Sequence, residues 1–354
     1  MPGKIAQLQK KLPARAAGFV ASPVGRRYCT GFASSDGMLL LCKEEALFLT
    51  DSRYIEAAQA AVTAVPVEEK RDGKKQLDDF CKRHGVKRLF VEDGWTTLEE
   101  HARLRKMLPG VYIERGGLLS KELARLRLMK TQNEIAQIKK AQRIAEEALA
   151  YVLAHHLKEG VTEKELALAL DYYMLSHGAE ALSFETIAVA GENGSRPHGA
   201  PGDRKLRQGD LVTMDFGCVV DGLHSDMTRT VAVGGDCSDE AREVYQVVLR
   251  AQEEALHIVG PGVKCEEVDR AARDVIKAAG YDEHFRHGTG HGVGFEIHEA
   301  PSLAPRSKDI LEPGMIVTVE PGIYIPGKCG VRIEDMALIT EDGYENLTGA
   351  GKSL

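Results

Sequence analysis

Aromatic residues are scarce: they make up 6% of the 354 residues and include a single tryptophan, Trp95, which reads as a core or interface residue. No segment approaches the ~18 apolar residues of a membrane-spanning helix. The stretch AAGFVA after MPGKIAQLQKK is too weak for a signal peptide, which points to the cytoplasm. The seven cysteines (Cys29, Cys42, Cys81, Cys218, Cys237, Cys265, Cys329) are odd in number, scattered and never spaced CxxC. That argues against a disulfide framework or a zinc knuckle and fits a reducing compartment. Neither sign of charge dominates, with 46 basic and 53 acidic residues, a net charge of −7 and a pI near 6.0. A general nucleic-acid or anionic-membrane surface is therefore not expected. Lys74-Lys75 and Lys139-Lys140 read as solvated helix faces. Gly288, Gly290, Gly292 and Gly294 lack the strand–GxGxxG–helix context of a nucleotide site and point instead to close backbone approach.

What is present is an ordinary globular balance, 43% hydrophobic and 28% charged, in a chain long enough for two domains. Residues 1–120 alternate short apolar runs with helical patterns, as an α/β layer does. GMLLLC and ALFLTD form a hairpin, SRYIEAAQAA the helix after it, QLDDFCKRHG a helix ended by Gly85, and KRLFVED a buried strand. Asp51, Arg53 and Tyr54 read as a helix cap and its neighbours rather than as a polar site at a strand end. The Gly pair in ERGGLLSKEL marks a boundary, and the second domain is placed at 124–354. It begins with a long amphipathic helix from about Glu122 to Leu157, with a break near Lys130-Thr131. His84, His101, His155, His156 and His177 lie in helical surroundings without acidic partners at ligand spacing, and read as surface or core residues.

The second domain carries a faint internal duplication. EEALAYVLAHHLKEGVTEKELALAL resembles EEALHIVGPGVKCEEVDRAARDVI, and LRQGDLVTMDFG resembles LEPGMIVTVEPG. Asp215 then matches Glu320 at an offset of 105, and Asp226 matches Glu334 at 108. Within each half the acids are 11 and 14 residues apart, which suits two strands joined by a tight turn. Two α/β halves packed together bring all four acids to one centre. Four buried carboxylates cannot share a cavity while ionised unless cations are present. With His291 they offer four oxygen-donor side chains and one nitrogen donor, about right for two ions sharing bridging carboxylates. Hard oxygen donors favour Mn²⁺, while the imidazole admits Zn²⁺, Co²⁺ or Fe²⁺.

The stretches FETIAVAGENGSRPHG, VTMDFG…HSDMTRT, HGTGHGVGFEIHE, TVEPGIYIPG and VRIED resemble the pita-bread metallopeptidases, which include methionine aminopeptidase, aminopeptidase P and prolidase. The first domain resembles, more weakly, the creatinase-type N-terminal domain of the last two. The resemblance implies an α/β (α+β) architecture: a small N-terminal α/β domain, then a pseudo-twofold duplicated pita-bread catalytic domain. It implies that Asp215 binds one metal, that Asp226 and Glu334 bridge the two, and that His291 and Glu320 complete the other. A metal-bridging water or hydroxide is then the nucleophile, Glu320 also shuttles a proton, and His198 and His298 contact the substrate amide. His287 supports the site or lines the pocket. Arg332 points away from the ligands or pairs with one of the acids.

The activity implied is hydrolysis of an Xaa-Pro bond, in dipeptides or at the N-terminus of longer peptides. A strict dipeptidase needs a cation for the product carboxylate. Arg53 and Arg306 are candidates, but the place where some prolidases carry Arg is here Ser302. Relatives are commonly homodimers. The alternatives are a non-catalytic pita-bread binding protein and a peptidase of different N-terminal specificity. The retention of Asp215, Asp226, His291, Glu320 and Glu334 weighs against a binding protein.

Overall fold

In the computed structural model, which describes residues 3–354, the runs MLLL and ALFLT pair as the antiparallel hairpin that the sequence suggests, Leu39 opposite Phe48 and Leu40 opposite Leu47. They belong to the first of two compact units, which reaches to Arg127; the second is Leu128–Leu354. The first unit runs α1 (Lys4–Lys11), β1 (Ala16–Val20), α2 (Pro23–Thr30), β2 (Met38–Leu41), β3 (Ala46–Thr50), α3 (Ile55–Ala61), β4 (Val67–Glu69), α4 (Gly73–Arg83), β5 (Arg88–Val91), α5 (Leu98–Met107), β6 (Tyr112–Glu114) and α6 (Leu118–Leu128). Its strands form one sheet in the order β4-β3-β2-β1-β5-β6. Side-chain caps begin three of its helices: Ser22 with Pro23 at α2, Asp72 at α4 and Thr97 at α5. Helix α4 turns Leu77, Phe80 and Cys81 onto Leu40, Leu49 and Leu89 of the sheet.

The second unit repeats itself. Its first half is α7 (Gln132–His155), α8 (Glu163–Ser176), β7 (Ala181–Leu182), β8 (Ile187–Ala190), β9 (Leu211–Phe216), β10 (Cys218–Val220), β11 (Leu223–His224) and β12 (Met227–Ala232). Its second half is α9 (Asp239–Ile258), α10 (Cys265–Ala278), β13 (Gly290–Gly292), β14 (Glu299–Leu303), β15 (Ile316–Val319), β16 (Gly322–Ile325), β17 (Cys329–Arg332), β18 (Asp335–Ile339) and β19 (Tyr344–Asn346). Each half is a helix pair followed by a largely antiparallel sheet, β12-β9-β8 in one and β14-β13-β15-β18-β19 in the other. This is the α/β architecture with a duplicated second domain expected from the sequence. Among the described residues, no helix is long and apolar enough to cross a membrane.

Several sequence expectations need correction. The long helix begins earlier than expected, at Leu118, and divides into α6 and α7 at the expected break. Between them the Thr131 hydroxyl accepts from Glu134 N while the Glu134 carboxylate accepts from Thr131 N, a reciprocal box that starts a new helix. The two acid-bearing strands of each half are not joined by one tight turn. A small hairpin intervenes, β10–β11 in the first half and β16–β17 in the second. The first turns at Asp221-Gly222, where both residues have positive φ (52° and 76°), as a two-residue hairpin turn demands. Trp95 is 52% exposed and so is not a core residue. His84 has an acidic partner after all, Glu45 at 2.8 Å, supplied by the β2–β3 turn 39 residues away. Asp51 caps no helix; it bonds the backbone N–H and the guanidinium of Arg53.

The halves are joined through Arg229, only 2% exposed. Its five N–H groups reach the carbonyls of Thr228, Glu334, Ala350 and Gly351 and the Asp335 carboxylate, at 2.6–3.0 Å. Burial alone would raise the pKa of Asp335, but Arg229 and Lys352 outweigh it and hold the carboxylate below its usual value. Removing one partner of a buried pair strands the other, which costs about 3–5 kcal/mol. Arg229→Met should therefore lower unfolding stability by about that much in urea denaturation. Lys139→Ala, which breaks the exposed pair with Glu345, should cost under about 1 kcal/mol. Similar small losses for both would contradict the role given to Arg229.

Candidate metal centre

Strand geometry brings the predicted acids together. Asp215 lies near the end of β9, opposite Thr228 of β12, and Asp226 immediately precedes β12. Glu320 follows β15 and Glu334 precedes β18, just beyond the last rung, Val319 opposite Asp335. Main-chain bonds fix both, Glu320 N to Thr289 O at 2.8 Å and Glu334 N to Thr228 O at 3.1 Å. His291 sits in the middle of β13, between β14 and β15. The flanking Gly290 and Gly292 permit that: a Cβ on either would come within 2.0 Å of Thr318 O or 2.2 Å of Ala300 O.

Asp215, Asp226, His291, Glu320 and Glu334 line one cavity of about 490 Å³, and His198, His287 and His298 line it with them. Ligand atoms of Asp226, His291 and Glu334 lie within 4.8 Å of one another. His291 Nε2 is 3.4 Å from Glu320 Oε1 and 3.6 Å from Asp226 Oδ2. Its Nδ1 is 3.0 Å from the Gly292 carbonyl, which can only accept, so the ring proton resides on Nδ1. Burial pushes this imidazole down to about 4, leaving a bare Nε2 lone pair aimed at two carboxyl groups.

The acids respond as a crowded, buried cluster should. Burial first, then repulsion from Glu334, Asp215 and Glu320, holds Asp226 well above its ordinary value. Burial and the neighbouring Glu320 and Asp215 do the same to Glu334. Glu320 is raised to about 8, mainly by burial and against the pull of Arg332. Asp215 Oδ1 is buried without a hydrogen-bond partner among the described residues. An orphaned carboxylate oxygen, a bare imidazole nitrogen and three raised carboxyls make a donor set suited to divalent cations.

Hydroxyl groups aim the acids. Thr228 Oγ1 donates to Glu334 Oε2 at 2.7 Å, and Thr318 Oγ1 to Glu320 Oε1 at 3.3 Å. Of the two orientations open to Arg332 in the sequence, the structure has the pairing one. Its Nη2 contacts Asp215 Oδ2, Nε donates to Thr228 Oγ1 and Nη1 to the Tyr324 hydroxyl at 2.8 Å. Burial opposes its charge, but Tyr324, Asp215 and Glu320 hold its pKa well above the usual. Tyr324 was missed as a site residue. It shares the alternation of β16 that places Gly322 opposite Arg332, and its hydroxyl also donates to His287 Nε2 at 3.1 Å. His287 therefore both lines the cavity and continues the chain Tyr324–Arg332–Asp215. His298 packs edge-on against His291, ring centroids 4.4 Å apart. Arg306 does not line this cavity, and Arg332 is the one arginine among its lining residues.

With this geometry in view, the relatives of the chain are informative. Residues 136–341 match metallopeptidase family M24, and residues 4–129 match the creatinase/prolidase N-terminal domain. The uncharacterized peptidase YqhT of Bacillus subtilis is 41% identical over 336 residues, which cover 95% of this chain and 94% of that protein. An Xaa-Pro dipeptidase from Bacillus anthracis superposes with a TM-score of 0.94 at 37% identity, covering 99% and 98% of the two chains. An X-Pro aminopeptidase from Thermotoga maritima gives 0.89 at 33%, covering 96% of each chain. A prolidase from Pyrococcus furiosus gives 0.87, also at 33%, covering 95% and 97%. A carboxylate–imidazole centre between two duplicated halves and matches spanning nearly the whole chain lead to one conclusion: the chain belongs to metallopeptidase family M24.

Proposed function

We propose that the chain is an Xaa-Pro exopeptidase that holds two divalent cations, with Mn²⁺ as the working pair, and acts on dipeptides or on the N-terminus of longer peptides. The observation that carries this reading is the bare Nε2 of His291 among four convergent carboxyl groups. Asp215, Asp226, His291, Glu320 and Glu334 would hold the ions, Asp226 and Glu334 shared between them. A bound pair lowers the pKa of water and polarises the scissile carbonyl. The rest of the chemistry falls to the chain's own side chains. Glu320, steered by Thr318, carries a proton from the attacking water to the departing proline nitrogen, a secondary amine that leaves only once protonated. His198 and His298 donate to the carbonyl oxygen as it gains charge. Phe184, Ile187 and Ile297 give the cavity an apolar wall that suits the proline ring. Similarity to the Xaa-Pro dipeptidase and the X-Pro aminopeptidase supports this substrate class. A cytoplasmic homodimer completes the reading.

If Asp226 bridges cations, Asp226→Asn should abolish hydrolysis of Ala-Pro. The metal-free variant should unfold no more easily than the parent, because a repelled carboxyl has become a neutral amide. Retained turnover in Asp226→Asn would remove the bridging role.

Metal-free stability should also depend on pH. The raised carboxyls keep protons in the folded chain that the unfolded chain releases, so their contribution to stability is lost as pH rises. His287 and His291, both near 4 through burial, act in the opposite sense from about 4 to 6.5. Above 6.5 the carboxyls act alone, so the thermal midpoint of the metal-free protein should fall between pH 6.5 and about 8. Saturating Mn²⁺ takes the place of those protons and should remove the fall. The same slope with and without Mn²⁺ would contradict this reading.

A further inference from the structure

The first unit holds a second convergence of metal-ligating side chains, with which the peptidase centre has no concern. Cys42 directly follows β2, Glu44 and Glu45 form the turn into β3, and His84 is the C-cap of α4. One ligand atom from each of Cys42, Glu44 and His84 lies within 4.8 Å of the other two. In sequence, Cys42 and His84 are 42 positions apart; the packing of α4 on the hairpin closes that distance.

We propose that Cys42, Glu44 and His84 form a binding site for a single borderline-soft divalent cation of the Zn²⁺ class. A thiolate beside an imidazole selects Zn²⁺ or Co²⁺ over Mg²⁺ and Ca²⁺, and three protein donors leave the fourth tetrahedral position to water. The His84 ring is already oriented. Phe80 packs on it with centroids 4.8 Å apart, and Glu45 Oε2 lies 2.8 Å from its Nε2, the kind of carboxylate contact that fixes ligand imidazoles. Arg83 balances Glu45 at 3.4 Å, leaving Glu44 as the acid for the ion. Cys42 is buried, His84 half-buried and Glu44 exposed, so the site opens at the surface with its sulfur on the inner side. On binding, the Cys42 S–H bond breaks, its proton passes to solvent and a sulfur–metal bond forms without change of oxidation state. The ion would clip the β2–β3 turn to the end of α4.

Cobalt tests this in the full-length protein, because the acids and histidines of the peptidase centre offer no sulfur. Titration with Co²⁺ should produce a near-ultraviolet thiolate-to-cobalt charge-transfer band that saturates at one ion per chain. Cys42→Ser should abolish the band and leave hydrolysis of Ala-Pro unchanged. Glu44→Ala, a change at the surface that the fold tolerates, should shift the Co²⁺ titration midpoint at least tenfold. A chain that gives no band, a band that survives Cys42→Ser, or an unmoved midpoint in Glu44→Ala would each overturn the site. The band is independent of the Xaa-Pro reading, so either can fail without the other.

Discussion

Asp226 is 4% exposed and Glu334 1%, and each faces the other's charge along with those of Asp215 and Glu320. Four ionised carboxylates in so little water repel one another and lack hydration, so the cluster must either hold protons or take up cations. Much of the second unit can be understood as scaffolding that keeps these groups together in spite of that repulsion. Arg332 compensates part of the charge from one side. The hydroxyls of Thr228 and Thr318 turn the oxygens towards the cavity. Behind the site, Arg229 binds the carbonyls of Thr228 and Glu334, so the strands that deliver two of the acids share one guanidinium.

Duplication explains how such a site arises at a seam. Each half ends a strand pair with two acids, and neither half alone surrounds them. Contacts such as Glu334 N to Thr228 O and Arg332 N to Thr230 Oγ1 stitch the second half onto β12 of the first. The centre thus depends on both cores, the one under α9 and α10 and the one under α7 and α8.

The acids were legible in the sequence because they stand at matching places in two similar stretches, MDFG and VEPG, and a charged residue after a β-type run is conspicuous. His291 was legible through the glycines around it, whose missing side chains turned out to allow contact with Thr318 O and Ala300 O. Tyr324 was not, since an aromatic in an apolar strand has the pattern of a core residue until Arg332 is seen 2.8 Å from its hydroxyl. The Thr228 and Thr318 hydroxyls were equally silent; threonine suits any strand. The helix break at Thr131 was visible only as a weak point, because a capping box resembles an ordinary charged helix turn until its two bonds are formed. The Glu45–His84 contact, 39 residues apart, depends on how a helix packs on a hairpin, which local pattern does not specify.

Diffraction from a crystal grown with Mn²⁺, measured for anomalous scattering, tests the central claim most directly. Two peaks should lie between the Asp226 and Glu334 side chains, one beside Asp215 and the other beside His291 and Glu320. No peak there, or a single one with Asp226 and Glu334 hydrogen-bonded to each other through a retained proton, would contradict the account.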